Sequence, residues 1–237
     1  MCTVSYLPLS DNGFIITSTR DEKTLRKPAN PPQKHEVHGQ QIFFPQDQDA
    51  SGTWFATGPG IDTLCLLNGG FVIHEHIPPY RKSRGLVLLD YYKYNDTDSY
   101  RDSYDFSGIE PFTLLIAGGN RLFLDELRWD GQKIHHRSCL ANLPAIWSSV
   151  TLYSAEVIKQ RNNWFDLWLD ETSEFTTDSI VNFHKTAGTG DVKNDILMNR
   201  ENAIRSVSIT SLTRQAGKHI FHYEDMIVQE SYACAVE

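Results

Sequence analysis

Cysteine is sparse: Cys2, Cys65, Cys139 and Cys234 are scattered along 237 residues, with no CxxC pair and no histidine at zinc-finger spacing. Neither a disulfide framework nor a structural zinc is indicated. Positive charge is also in deficit, since 22 Lys and Arg against 30 Asp and Glu leave a net charge of −8. Such a field repels phosphate backbones and anionic membrane surfaces, so nucleic acid is not an expected partner. No apolar window of ~18 residues occurs. The first residues lack a basic stretch followed by an apolar run, because Asp11 and Asn12 interrupt it. No repeat or low-complexity block is present. The expectation is a soluble, non-secreted, cytoplasmic protein without a transmembrane segment.

What is present is ordinary globular composition, 40% hydrophobic and 22% charged, in a chain long enough to bury a core. One domain over residues 1–237 is expected, with a poorly patterned tail after about 227. CTVSYL and GFIITSTR are β-branched and aromatic runs around Asp11-Asn12-Gly13, which reads as a hairpin. If residues 2–7 pair with 14–19, Cys2 comes close to Arg20-Asp21-Glu22. Residues 23–50, rich in Pro, Gln, His and Lys, read as a long irregular loop. GTWFATG and DTLCLLN flank Pro59-Gly60 as a second hairpin, and Asn68 ends its second strand.

RKSRGLVLLDYYKY, from Arg81 to Tyr94, has helical spacing, and the acidic stretch after it reads as a loop or short helix. Three strands are expected between Pro111 and Arg137. A helix over 154–169 has Ser154 as N-cap and an apolar face of Val157, Ile158, Phe165, Leu167 and Trp168. A further helix covers 176–184, and a last hairpin turns at Gln215-Ala216-Gly217. Strands and helices without β-α-β alternation indicate an α+β fold with stacked, largely antiparallel sheets.

The unusual feature is Cys2 directly behind Met1. If aminopeptidase removes Met1, the same residue carries a thiol nucleophile and an α-amine of pKa ~8 that can serve as its own general base. A nearby guanidinium such as Arg20 favours the thiolate, and a carboxylate such as Asp21 orients the amine. A side-chain amide at a strand end, such as Asn68, is the right type of donor for an oxyanion. Chemistry alone leaves other interpretations open: an Arg-Asp surface ion pair beside a strand cysteine, or acylation of Cys2 as an anchor, although no polybasic run supplies a second membrane signal.

MCTVSYLP, the strand entering TRDE, GTWFATG followed by LLNGG, RGLVLLDYY and RSVSITSL resemble, in this order and over nearly the whole chain, the NRDE family, also called the transport and Golgi organisation 2 family. Its eponymous tetrapeptide reads Thr19-Arg20-Asp21-Glu22 here, so the leading Asn is replaced. The family is similar to N-terminal nucleophile (Ntn) hydrolases of the cholylglycine hydrolase and penicillin acylase group. That resemblance implies a four-layer αββα sandwich, with Cys2 as nucleophile and amine base, Arg20 and Asp21 as its partners, and Asn68 as oxyanion donor. It implies Arg205 as a further site arginine, and it sets Thr151 where related sequences carry an Asn. Glu22 completes the candidate set as a substrate-side residue.

His74-Glu75-His76, His135-His136 and His35 with His38 read as loop histidines rather than metal ligands, so no metal and no cofactor are expected. Gly188-Thr189-Gly190-Asp191 is too short for a dinucleotide fingerprint. Trp54, Trp129, Trp147, Trp164 and Trp168 read as core anchors. The leading expectation is an N-terminal-cysteine amidohydrolase that cleaves a small non-peptide amide through an acyl-enzyme. The alternative, implied by trafficking roles in the eukaryotic branch of the family, is a non-enzymatic binding protein for a hydrophobic ligand such as haem or a lipid.

Overall fold

The computed structural model describes residues 3–94, 96–118 and 120–237, so Met1 and Cys2 lie outside it, and with them the expected approach of Cys2 to Arg20. β1 (Thr3–Pro8) and β2 (Phe14–Lys23) form the first hairpin, with Thr3 opposite Thr19 and Pro8 opposite Phe14. Its turn closes because Asp11 and Asn12, both at φ 57°, tolerate the left-handed region better than most residues. Residues 23–50 are not irregular: β3 (Asn30–Val37) and β4 (Gln40–Gln46) make a second hairpin. His38 (φ 50°) and Gly39 (φ 77°) form its turn. Pro31 and Pro32 are tolerated because β3 is an edge strand whose register shifts between Asn30 and Gln33.

β5 (Phe55–Ala56) and β6 (Thr63–Asn68) are the hairpin expected around Pro59-Gly60. α1 (Arg84–Asp90) starts at Arg84 rather than Arg81 and runs into a 3₁₀ turn over Tyr91–Lys93, and the acidic stretch forms α2 (Thr97–Ser103). β7 (Phe112–Ala117), β8 (Leu124–Trp129) and β9 (Ile134–Cys139) are the three expected strands, and a short β10 (Ala145–Ser148) follows. α3 (Ala155–Glu171) has Ser154 as N-cap, accepting from the Val157 N–H, and α4 (Thr177–Thr186) opens on a Thr176/Ser179 capping box. A two-residue β11 (Asn199–Arg200) precedes β12 (Ile204–Gln215) and β13 (Lys218–Asp225), the last expected hairpin. The tail that showed little pattern pairs with β13 as β14 (Glu230–Ala235).

The chain divides into two compact units, Met1–Arg26 with Asn142–Ala235, and Lys27–Ala141 with Val236–Glu237. The first holds an antiparallel sheet in the order β10-β1-β2-β12-β13-β14, with β11 added to β12. Leu7 and Ile15 of this sheet pack on Phe165 of α3 and on Ile180 and Phe183 of α4. Each such fully buried side chain is worth roughly 1.5–3 kcal/mol. The inward stripe of α3 departs from the expected one. Leu167 is 54% exposed, whereas the buried residues are Phe165 and, one turn earlier, a charged Arg161.

The second unit holds the antiparallel sheet β5-β6-β7-β8-β9 and the separate β3-β4 hairpin. Val87, Leu88 and Leu89 of α1, with Tyr91, Tyr92, Tyr100 and Phe106, pack on Leu64, Leu66, Leu114 and Ile116. Gly52 is needed here because a Cβ on it would stand 2.6 Å from the Gly85 carbonyl carbon, so the segment before β5 and the start of α1 meet backbone to backbone. In each unit helices pack on the main antiparallel sheet. Among the described residues no helix is long and apolar enough to cross a membrane.

Candidate active site

Strand alternation separates two residues that the sequence read as one site. Arg20 and Asp21 leave β2 on opposite faces. Asp21, 3% exposed, lies on the face of Thr17 and Thr19. Its Oδ2 accepts from the Tyr153 hydroxyl at 2.6 Å, and its Oδ1 from Ser206 Oγ at 2.5 Å. Ser206 stands directly across from Asp21 on β12, one residue before a bulge, and its own Oγ accepts the Met198 N–H. A carboxylate taken out of water requires such donors. Tyr153 reaches it because the turn after β10 is held by the Tyr153 N–H to Ser149 carbonyl bond.

Arg20, 4% exposed, lies on the other face with Glu22, its Nη2 3.5 Å from Glu22 Oε2. Arg26 approaches the same oxygen at 3.7 Å. Arg205 stands opposite Glu22 in the ladder, and its Nε is buried with no hydrogen-bond partner among the described residues. On β13, burial and then the Asp225 charge push the Tyr223 phenol up to about 12, while Arg20 pulls it back. The structure therefore brings Arg20, Glu22 and Arg205 together on one face and sets Asp21 apart with Tyr153 and Ser206.

Beneath the first two strands lies a buried polar layer. His184 of α4 stands between them, with Nε2 2.8 Å from Ser5 Oγ and Nδ1 2.7 Å from Thr19 Oγ1. Burial, with a smaller push from the Arg161 charge, takes its pKa down to about 3, so the imidazole is neutral at physiological pH. Arg161 of α3 is wholly buried. Its Nη1 donates to Thr3 Oγ1 at 2.5 Å, its Nε and Nη2 donate to the carbonyls of Asn194 and Asp195, and its Cζ lies 3.6 Å from the Tyr153 ring centre. Tyr153, Ser206, Arg161 and His184 were not singled out from the sequence. Only the serine offered a trace, as part of the RSVSITSL alternation.

Of the remaining candidates, Thr151 shares a 2.9 Å hydroxyl contact with Ser149 in the turn before α3. Asn68 is in the second unit, the last residue of β6, where Gly69 (φ 86°) ends the strand and bonds back to the Pro111 carbonyl. Cys2 lies outside the described residues. Cys65 is fully buried, as expected of a core cysteine, while Cys139 is half-buried and Cys234 exposed. Trp54, Trp129 and Trp147 are buried, and Trp164 and Trp168 pack against the first unit's core.

The histidine pair finds a carboxylate that sequence spacing did not reveal: His74 Nε2 and His76 Nδ1 both lie 3.2 Å from Glu110 Oε1. The other Glu110 oxygen is taken by Arg84 at 3.1 Å. Among the described residues no group of His, Cys, Asp and Glu is arranged to hold a metal ion. A cavity of about 570 Å³ in the second unit, lined by Asp62, Asp96, Asp125, Tyr91 and Arg121, contains none of the candidate site residues.

The family model described as Transport and Golgi organisation 2 matches residues 1–210. Among solved structures, the chain is similar to the Caenorhabditis elegans ortholog of N-acylethanolamine-hydrolyzing acid amidase, at TM-score 0.53 and 14% identity, covering 89% of this chain and 92% of that one. It is also similar to a mutant of the conjugated bile acid hydrolase from Clostridium perfringens, at TM-score 0.56 and 9% identity, covering 99% and 92%. No curated protein matches its sequence. At such low identities the structural matches show the fold, which is the α+β fold of the Ntn hydrolases.

Proposed function

Because the chain belongs to the transport and Golgi organisation 2 family and carries the fold of the Ntn hydrolases, we propose that it is an amidohydrolase acting on a small non-peptide amide, with Cys2 as nucleophile after removal of Met1. The observation that carries the reading is Asp21. A buried carboxylate with two hydroxyl donors, on the strand paired with Thr3, is a costly arrangement that a surface ion pair does not need.

In the proposed reaction the α-amine of Cys2 takes the thiol proton and the sulfur attacks the amide carbon. The C–N bond breaks as the amine delivers that proton to the departing nitrogen. Water, deprotonated by the same amine, then cleaves the thioester and restores the thiol. Asp21 orients the α-amine and Asn68 supplies a donor to the oxyanion. Arg20 is proposed as the cation that favours the Cys2 thiolate, and Glu22, Arg205 and Thr151 are proposed on the substrate side, where Arg205, whose buried Nε has no partner among the described residues, is the candidate for a polar group of the substrate.

The test is hydrolysis of a panel of N-acylethanolamines and conjugated bile acids, the compounds after which the matched structures are named, by the wild type and by Cys2→Ala and Cys2→Ser. Release of free acid that disappears with Cys2→Ala supports the proposal. Binding of an acyl compound without turnover, unchanged in Cys2→Ala, supports a binding protein for a hydrophobic ligand instead.

A further inference from the structure

Arg161 has no function in the family resemblance, yet it is the largest fully buried side chain among the described residues. Among the described residues no carboxylate pairs with it; its donors go to Thr3 Oγ1 and to the carbonyls of Asn194 and Asp195. A buried cation held only by neutral acceptors is expensive to keep, and an apolar residue at this helix position would cover the core at less cost. What the guanidinium gains is a double grip. Its Nη1 holds Thr3, the residue bonded to Cys2, and its flat face lies against the Tyr153 ring, whose hydroxyl donates to Asp21.

We propose that Arg161 is a positioning residue for the nucleophile, fixing the start of β1 and the Tyr153–Asp21 bond with one rigid group. The inference rests on Cys2 being the nucleophile. The planar fork matters because it makes bonds along its edge and a stacking contact on its face at the same time, which an ammonium cannot do. The titratable groups around it are Tyr153 in the turn before α3, His184 on α4, and, about the same tyrosine ring, Arg200 and Asp21. The Asp195 carboxylate is turned instead to the N–H groups of Thr189 and Gly190.

The test is the pH profile of Cys2 alkylation by iodoacetamide in full-length protein carrying Cys139→Ser and Cys234→Ser, followed by mass spectrometry of the N-terminal peptide. Arg161→Met should slow labelling at neutral pH about tenfold, at the low end of positioning losses. It should also move the midpoint upward, since a cation that favours the thiolate is gone. Arg161→Lys, which keeps the charge and loses the fork, should return the midpoint toward that of the wild type while the rate stays reduced. A folded Arg161→Met protein with wild-type rate and midpoint overturns the inference. If Arg161→Met does not fold, Arg161→Lys and Tyr153→Phe decide: both should label more slowly, and wild-type rates in both overturn it. Absence of amide turnover counts against the hydrolase proposal alone, because thiol labelling needs no substrate.

Discussion

His184 is a buried base with both ring nitrogens engaged by hydroxyls, and its titration should dominate part of the pH dependence of stability. Burial first, and the Arg161 charge second, lower its pKa from 6.5 to about 3. A base whose folded pKa is depressed contributes stability that is complete above the unfolded value and is lost as pH falls toward the folded one. Between pH 6.5 and 3 the unfolded chain binds a proton there that the folded protein refuses, at about 1.4 kcal/mol per pH unit. Across the whole window this amounts to roughly 5 kcal/mol, comparable with the entire stability of many domains. His184→Gln can still donate and accept, but it does not titrate. Urea denaturation of both proteins from pH 7 to pH 4 should show the wild type losing stability faster, the gap between the two changing by about 3 kcal/mol. A gap that stays constant with pH would refute the assignment of a neutral, buried imidazole.

Two further outcomes follow from the geometry. Gly52→Ala should destabilise the protein by about 1–3 kcal/mol in the same assay, since its Cβ would meet backbone atoms of Gly85 and Leu86 under 3 Å away, which cannot swing aside. Thiol titration of native Cys2→Ala protein should detect Cys234 readily and Cys139 slowly, with Cys65 reacting only after denaturation. A native Cys65 reaction would mean that the β5-β6 region opens far below the global unfolding free energy.

Much of this architecture was legible because its signals are local. The Asp11-Asn12-Gly13 and Gln215-Ala216-Gly217 turns and the Ser154 cap all act within a few residues, and the first and last hairpins and α3 came out where these signals put them. The β3-β4 hairpin escaped notice because its turn uses His38 and its first strand begins with two prolines, which read as breakers unless the strand is known to be an edge. β14 escaped because a strand exposed on most of its length carries no alternation to read.

The candidate site shows the same division. Arg20, Asp21 and Glu22 could be singled out because they follow one another on a strand end. Their division between two faces follows from the period of two that any strand imposes on consecutive residues. Tyr153 and Arg161, by contrast, meet Asp21 and Thr3 across more than 130 residues of chain. Nothing local distinguishes an arginine that will be buried from one that will sit in water. Arg161 occupies a helix position flanked by polar residues on both sides, and only the packing of α3 on β1 turned it inward.

The central claim is that Cys2 forms an acyl-enzyme, and intact-mass spectrometry of protein made in cells and mixed briefly with an N-acyl amide tests it most directly. The expected result is a chain lacking Met1 that gains the mass of one acyl group on Cys2 and loses it as free acid appears, with neither change in Cys2→Ala. A chain that retains Met1, or amide hydrolysis that proceeds undiminished in Cys2→Ala, would contradict it.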